Sequence, residues 1–120
     1  MARSSKSING TDQQIMLAIL RLHPNGYGIS IRDELESRTK QKWSLGSIYA
    51  AVDRLEERGF LKSREGEPTA ERGGRRKIYF ELTGIGRATL DSSLSALDAL
   101  RGYTGLGALA RRFVLGGCHD

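Results

Sequence analysis

Ser44, Ser47, Tyr49 and Arg54, with Arg72, Arg75, Arg76 and Lys77 further along, are the residues whose types and spacing could do chemistry. Hydroxyls and fixed cations of this kind suit phosphate. No nucleophile stands in a recognisable catalytic setting, and "GEPTAERGG" lacks the GxxxxGK[ST] pattern of a nucleotide phosphate loop. An enzyme is therefore not expected. The basic group is concentrated: residues 62–77 hold six basic side chains against three acidic ones, which is +3 of the chain's net +5. That asymmetry and a pI near 9.7 suit a polyanionic partner. A solvated charged loop is the plain alternative.

These residues need elements to carry them. The first group lies in "SLGSIYAAVDRLEERG", residues 44–59. Leu45, Ile48, Val52 and Leu55 recur there at steps of three and four, which predicts an amphipathic helix with one face toward a core. Ser44 is a competent N-cap and Gly59 a natural terminator. Gly46, Ser47, Tyr49, Ala50, Asp53 and Arg54 fall off the apolar stripe. The exposed face thus starts small and polar and becomes charged only later, at Asp53 and Arg54 and then at Glu56, Glu57 and Arg58. A helix that enters the major groove brings its first turn close to DNA, and small residues permit that approach. Ser44 sits where exposed amides favour a phosphate. Ser47 can donate to a phosphate or base, and Tyr49 can reach a phosphate oxygen. The same gradation also occurs in helices that bind nothing.

The basic residues fall in a hairpin. "FLKSRE" and "RRKIYFELT" read as strands, with alternation at Ile78, Phe80 and Leu82, and the Gly- and Pro-containing "GEPTAERGG" reads as the loop between them. Before these come two more helical segments. One is capped by Thr11 or Asp12 and ends at "HPNG"; the other runs over about 27–39 with Ile29, Ile31 and Leu35. After the hairpin Thr83 caps a last helix with Leu90, Leu94 and Leu97 on one seam. The fold class expected is α+β, mostly helical: a winged helix-turn-helix of three helices and a β-hairpin wing, plus a C-terminal dimerisation helix. The divisions are a flexible tail at 1–10, a DNA-binding domain at 11–82, the dimerisation helix at 83–101 and a Gly-interrupted tail at 102–120, where "ALARRFVLGG" could form a short amphipathic piece.

The remaining signals are mostly exclusions. With 38% apolar and 28% charged residues the chain is a globular domain. No apolar run approaches the ~20 residues a membrane span needs, and "MARSSKSING" has no apolar core of a secretory signal. One cysteine, Cys118, cannot form an internal disulfide, so a cytoplasmic location is expected. His23 and His119 lack ligand-spaced partners, so no metal site or cofactor is expected. His23 reads as structural beside Pro24, and Trp43 as packing at the base of the reading helix. Tyr27 and Gly28 read as a turn that packs under the fold.

Four pieces, "NGYGISI", "SLGSIYAAVDRLEERGFL", "GEPTAERGGRRKIYFELT" and "TGIGRATL", in this order and spacing, resemble the PadR family of bacterial transcriptional regulators. The resemblance covers most of residues 15–90. It implies a homodimeric repressor that binds a pseudo-palindromic double-stranded DNA operator. Ser47 and Tyr49 match the family's DNA-contacting turn, and Arg75, Arg76 and Lys77 its wing. The chain ends soon after its last long helix, as in the short subfamily, where that helix packs with the first to form the dimer. That puts Leu17 and Leu20 of the first helix with Leu90, Leu94 and Leu97 in the interface. An effector and an operator sequence stay open. The alternative is a winged-helix protein-interaction module that does not bind DNA.

Overall fold

Asn9, not Thr11 or Asp12, starts the first helix. In the computed structural model, which describes residues 7–68 and 76–104, α1 spans Gly10–Leu22. The Asn9 side chain accepts from the Asp12 amide at 2.7 Å, and the Asp12 carboxylate accepts from the Asn9 amide at 3.3 Å. This reciprocal cap satisfies two amides that the helix cannot. It moves Asp12 from cap to third helical position. Helix α2 spans Gly28–Thr39 and ends at Lys40, whose amide donates to the Glu36 carbonyl.

Ser44 and Gly59 terminate α3, Leu45–Glu57, as their types predict. The Ser44 hydroxyl accepts from the Ser47 amide at 3.0 Å. At the other end Gly59 adopts a φ of 84°, where an L side chain is strained. The Phe60 amide donates to the Leu55 carbonyl and the Gly59 amide to that of Glu56, the Schellman pattern. Leu45 at the first turn is only half-buried, whereas Ile48, Val52 and Leu55 are buried as the stripe predicts, joined by Ala51. They share a core with Ile15, Met16 and Ile19 of α1 and Ile31 and Leu35 of α2. Trp43 packs at the edge of this core, and its indole donates to Thr39 at 3.3 Å.

The hairpin joins β1, Leu61–Pro68, to β2, Arg76–Leu82, in an antiparallel pair with Leu61 opposite Leu82 and Arg64 opposite Tyr79. Phe60, Leu61 and Phe80 close the core from below. Strand β1 runs into "GEP", which the sequence assigns to loop. The pairing becomes irregular between Glu65 and Pro68, where a Gly and a Pro are tolerated at a sheet edge.

Helix α4 spans Gly84–Thr104 and passes through Gly102, three residues beyond the expected end. Thr83 is its cap: the hydroxyl accepts from the Gly86 amide at 3.0 Å and donates to the Gly59 carbonyl at 2.6 Å. Gly86 lies against the backbone of Phe60, and a Cβ there would stand 2.0 Å from the Phe60 carbonyl oxygen. This contact seats α4 on the turn that follows α3. Gly86→Ala should lower stability by about 1–3 kcal/mol, the usual overpacking cost, despite alanine's better helix propensity. Urea denaturation measures it; an unchanged midpoint would mean that α4 does not dock there.

Leu90, expected in the dimer seam, is only 2% exposed and belongs to the chain's own core, so it offers little surface to a second copy. Leu94 is half-buried against the same core, whereas Leu97 and Leu100 are exposed. The first half of α4 therefore belongs to the winged unit, and only its later turns leave it. Altogether three helices, a two-stranded wing and an added C-terminal helix form the α+β winged helix-turn-helix that the sequence predicts.

Candidate nucleic-acid interface

The first turn of α3 is open. Gly46, Ser47 and Ala50 are exposed, and a Cβ on Gly46 would meet nothing within 4 Å. Among the described residues no contact requires a small residue at Gly46. Helix geometry leaves the Leu45 and Gly46 amides without intrahelical partners at the positive end of the helix. Ser44 is occupied by its cap, accepting from the Ser47 amide, and its hydroxyl lies 2.8 Å from Ser47 Oγ, which is itself exposed. Tyr49 is 43% exposed. Its hydroxyl rests on Gly28 at the start of α2, where a Cβ would stand 2.1 Å away. The pairing explains why Gly28 sits under the fold, and it fixes where the Tyr49 ring points.

The far end of α3 is occupied by the protein itself. Arg54, grouped by the sequence with the DNA-binding residues, ion-pairs with Asp12 at 2.6 Å, and that carboxylate is buried. Glu56 accepts from Ser63 at 2.9 Å, and the Arg58 guanidinium lies over the Phe60 ring. The gradation along the helix thus has a structural basis: an exposed start, then charges tied to α1 and the hairpin.

The wing brings Arg76 and Lys77 to β2. Arg76 is half-exposed and lies 3.7 Å from Glu65, a pair that surface solvent leaves weak. Lys77 holds its ammonium 4.4 Å from the centre of the Tyr27 ring. Arg72 and Arg75 lie outside the described residues. Sequence reading missed Arg64, which donates to the Pro24 carbonyl at 2.8 Å and covers the Tyr79 ring at 4.6 Å. The signal was available: strand alternation puts Lys77 and Tyr79 on one face, and a hairpin register puts Arg64 opposite Tyr79.

Elsewhere Arg21 and Arg38 both bond Glu34 and hold its carboxyl below the ordinary carboxylate range. His23 lies 3.9 Å from Glu81. Among the described residues no cluster of His, Cys, Asp and Glu could hold a metal ion, and no helix is long and apolar enough to cross a membrane. Cys118 and His119 are outside the described residues. Leu17, Leu20, Leu90 and Leu94 line one groove between α1 and α4, with Leu90 at its floor.

Solved structures share this arrangement. A PadR-like transcription factor from Bacteroides fragilis superposes with a TM-score of 0.64 at 21% identity, over 87% of this chain and 93% of that one. A PadR family regulator from Eggerthella lenta gives 0.62 at 20% identity, over 83% of each chain. The Aeropyrum pernix ORC1 protein, solved in complex with DNA, gives 0.60 at 18% identity, over 78% of this chain and 25% of that protein. At such identities the likeness establishes the fold. A search of curated proteins returned no match. The family itself is established by sequence: residues 16–92, from mid-α1 through α3 and the hairpin into α4, match the model of the transcriptional regulator PadR-like family, and the chain belongs to it.

Proposed function

We propose that this DNA-binding regulator is a homodimeric repressor that reads a pseudo-palindromic operator with α3 and grips its backbone with the wing. The observation that carries the reading is the exposed start of α3, with Gly46, Ser47 and Tyr49 open to solvent beside a hairpin bearing Arg76 and Lys77. Ser47 and the Leu45 and Gly46 amides serve a phosphate or base edge, and Tyr49 packs on sugar or reaches a phosphate. In sequence, Arg72 and Arg75 add two more cations to this basic set. Arg54 is left out, since Asp12 holds it, and Ser44 acts by setting the first turn rather than by contact. Repression follows if the operator overlaps a promoter, because a bound dimer blocks polymerase.

The test uses a 30-bp duplex selected by the protein from a random pool. Binding should weaken steeply with salt, and the double change Arg75→Ala, Arg76→Ala should flatten the log–log salt slope by about two units, roughly 0.9 per lost phosphate contact. Tyr49→Phe should weaken binding without changing thermal stability. An unchanged slope removes the wing from the interface. Failure to enrich any duplex would leave a winged-helix protein-interaction module.

A further inference from the structure

The turn between α1 and α2 touches both parts of the proposed interface. Gly28 carries the tip of Tyr49, and the Gly26 carbonyl accepts from the Phe80 amide of β2 at 2.8 Å. Tyr27, between them, meets Tyr79 edge to face, with ring centres 5.7 Å apart and planes at 80°. Each ring carries a cation: Lys77 over Tyr27 and Arg64 over Tyr79. The Tyr79 ring is held further because it lies on Gly66, where a Cβ would stand 2.3 Å from it. Arg64 then reaches back to the Pro24 carbonyl. The series Arg64, Tyr79, Tyr27, Lys77 therefore fastens both wing strands to the turn.

We infer that Tyr27 is a positioning residue for DNA binding: its ring holds the Lys77 ammonium where the wing meets the backbone, and the turn 24–28 sets the spacing between wing and reading helix. This rests on the DNA-reading function proposed above. An exposed lysine on a flexible stem must give up rotamer freedom to contact a phosphate. A ring under the ammonium removes part of that freedom beforehand, which is preorganisation. The ring covers one side of the ammonium only, so its other N–H donors remain available to an oxygen. No DNA atom needs to touch Tyr27 for this role.

A merely structural tyrosine would act differently. Its loss would reduce the folded fraction and shift every binding curve without altering salt dependence. The experiment compares Lys77→Ala, Tyr27→Leu, Tyr27→Phe and the double variant Tyr27→Leu, Lys77→Ala on the selected 30-bp duplex, with active protein titrated in each case. Lys77→Ala should reduce the log–log salt slope by about 0.9, one phosphate contact. Tyr27→Leu should reduce it by most of the same amount, Tyr27→Phe should retain the wild-type slope because the ring remains, and the double variant should match Lys77→Ala alone. A Tyr27→Leu slope equal to wild type, with Lys77→Ala reduced, overturns the positioning role and leaves the interface intact. An unchanged slope for Lys77→Ala removes Lys77 from the interface, and the inference falls with it.

Discussion

Replacing Arg54 with leucine should cost the fold about 3 kcal/mol, a large part of the margin of a domain this size. Asp12 is 1% exposed, and among the described residues its carboxylate has two partners, the Asn9 amide and the Arg54 guanidinium. Removing Arg54 strands the charge in the interior with one amide to satisfy it. Breaking a buried pair from one side costs about 3–5 kcal/mol. The low end applies because the Arg54 side chain is 45% exposed, so water already screens one partner. Asp12→Asn added to Arg54→Leu should recover most of the loss, since the stranded charge is its cause. Urea denaturation of the two variants decides the matter. A loss under 1 kcal/mol for Arg54→Leu would class the pair with ordinary surface bridges. Unchanged stability with a flattened salt slope would return Arg54 to the DNA interface.

Arg54 also marks what can be seen in a sequence. Its place off the apolar stripe of α3 follows from local spacing, and that part holds. Its partner stands 42 residues earlier, and no periodicity carries information over that distance. The same division recurs through the chain. Ser44, Gly59 and Thr83 are legible because a cap is a local event between near neighbours. The first cap is less so, since Asn9, Thr11 and Asp12 are all competent and the choice depends on how α1 packs. Leu90, Leu94 and Leu97 do lie along one seam, but spacing cannot distinguish a leucine facing its own core from one facing a second copy. The structure divides them, with Leu90 inside and Leu97 out. Tyr27 looks like a turn residue because its role depends on rings and cations from the far side of the hairpin. The "TGIG" stretch entering α4 acquires its reason only when Gly86 is found against the Phe60 backbone.

Leu97→Lys should abolish the proposed dimer and lower operator affinity by more than about 100-fold, because one subunit alone forfeits the avidity of two linked half-site contacts. Leu97 is 50% exposed and Leu100 60%. Both lie on the part of α4 beyond the residues that seal the core, and Leu97 follows Leu90 and Leu94 along one helical stripe. Leaving such leucines to water is unfavourable, and in the proposed dimer a second copy would cover them by the same patch on each subunit, as two-fold symmetry requires. A two-fold dimer also sets two reading helices about 34 Å apart, one turn of DNA, which gives a pseudo-palindromic operator a physical cause. Leu97 is a better test than Leu94, whose half-buried side chain also packs on its own domain. A lysine at Leu97 places a charge on each side of the seam while leaving the winged core untouched, so thermal unfolding of that core should not shift beyond the loss of dimer linkage. Sedimentation at micromolar protein gives the oligomeric state, and titration of the selected duplex gives the affinity. A wild-type monomer at that concentration, or a Leu97→Lys variant that remains dimeric and binds with full affinity, would place the interface elsewhere on the molecule.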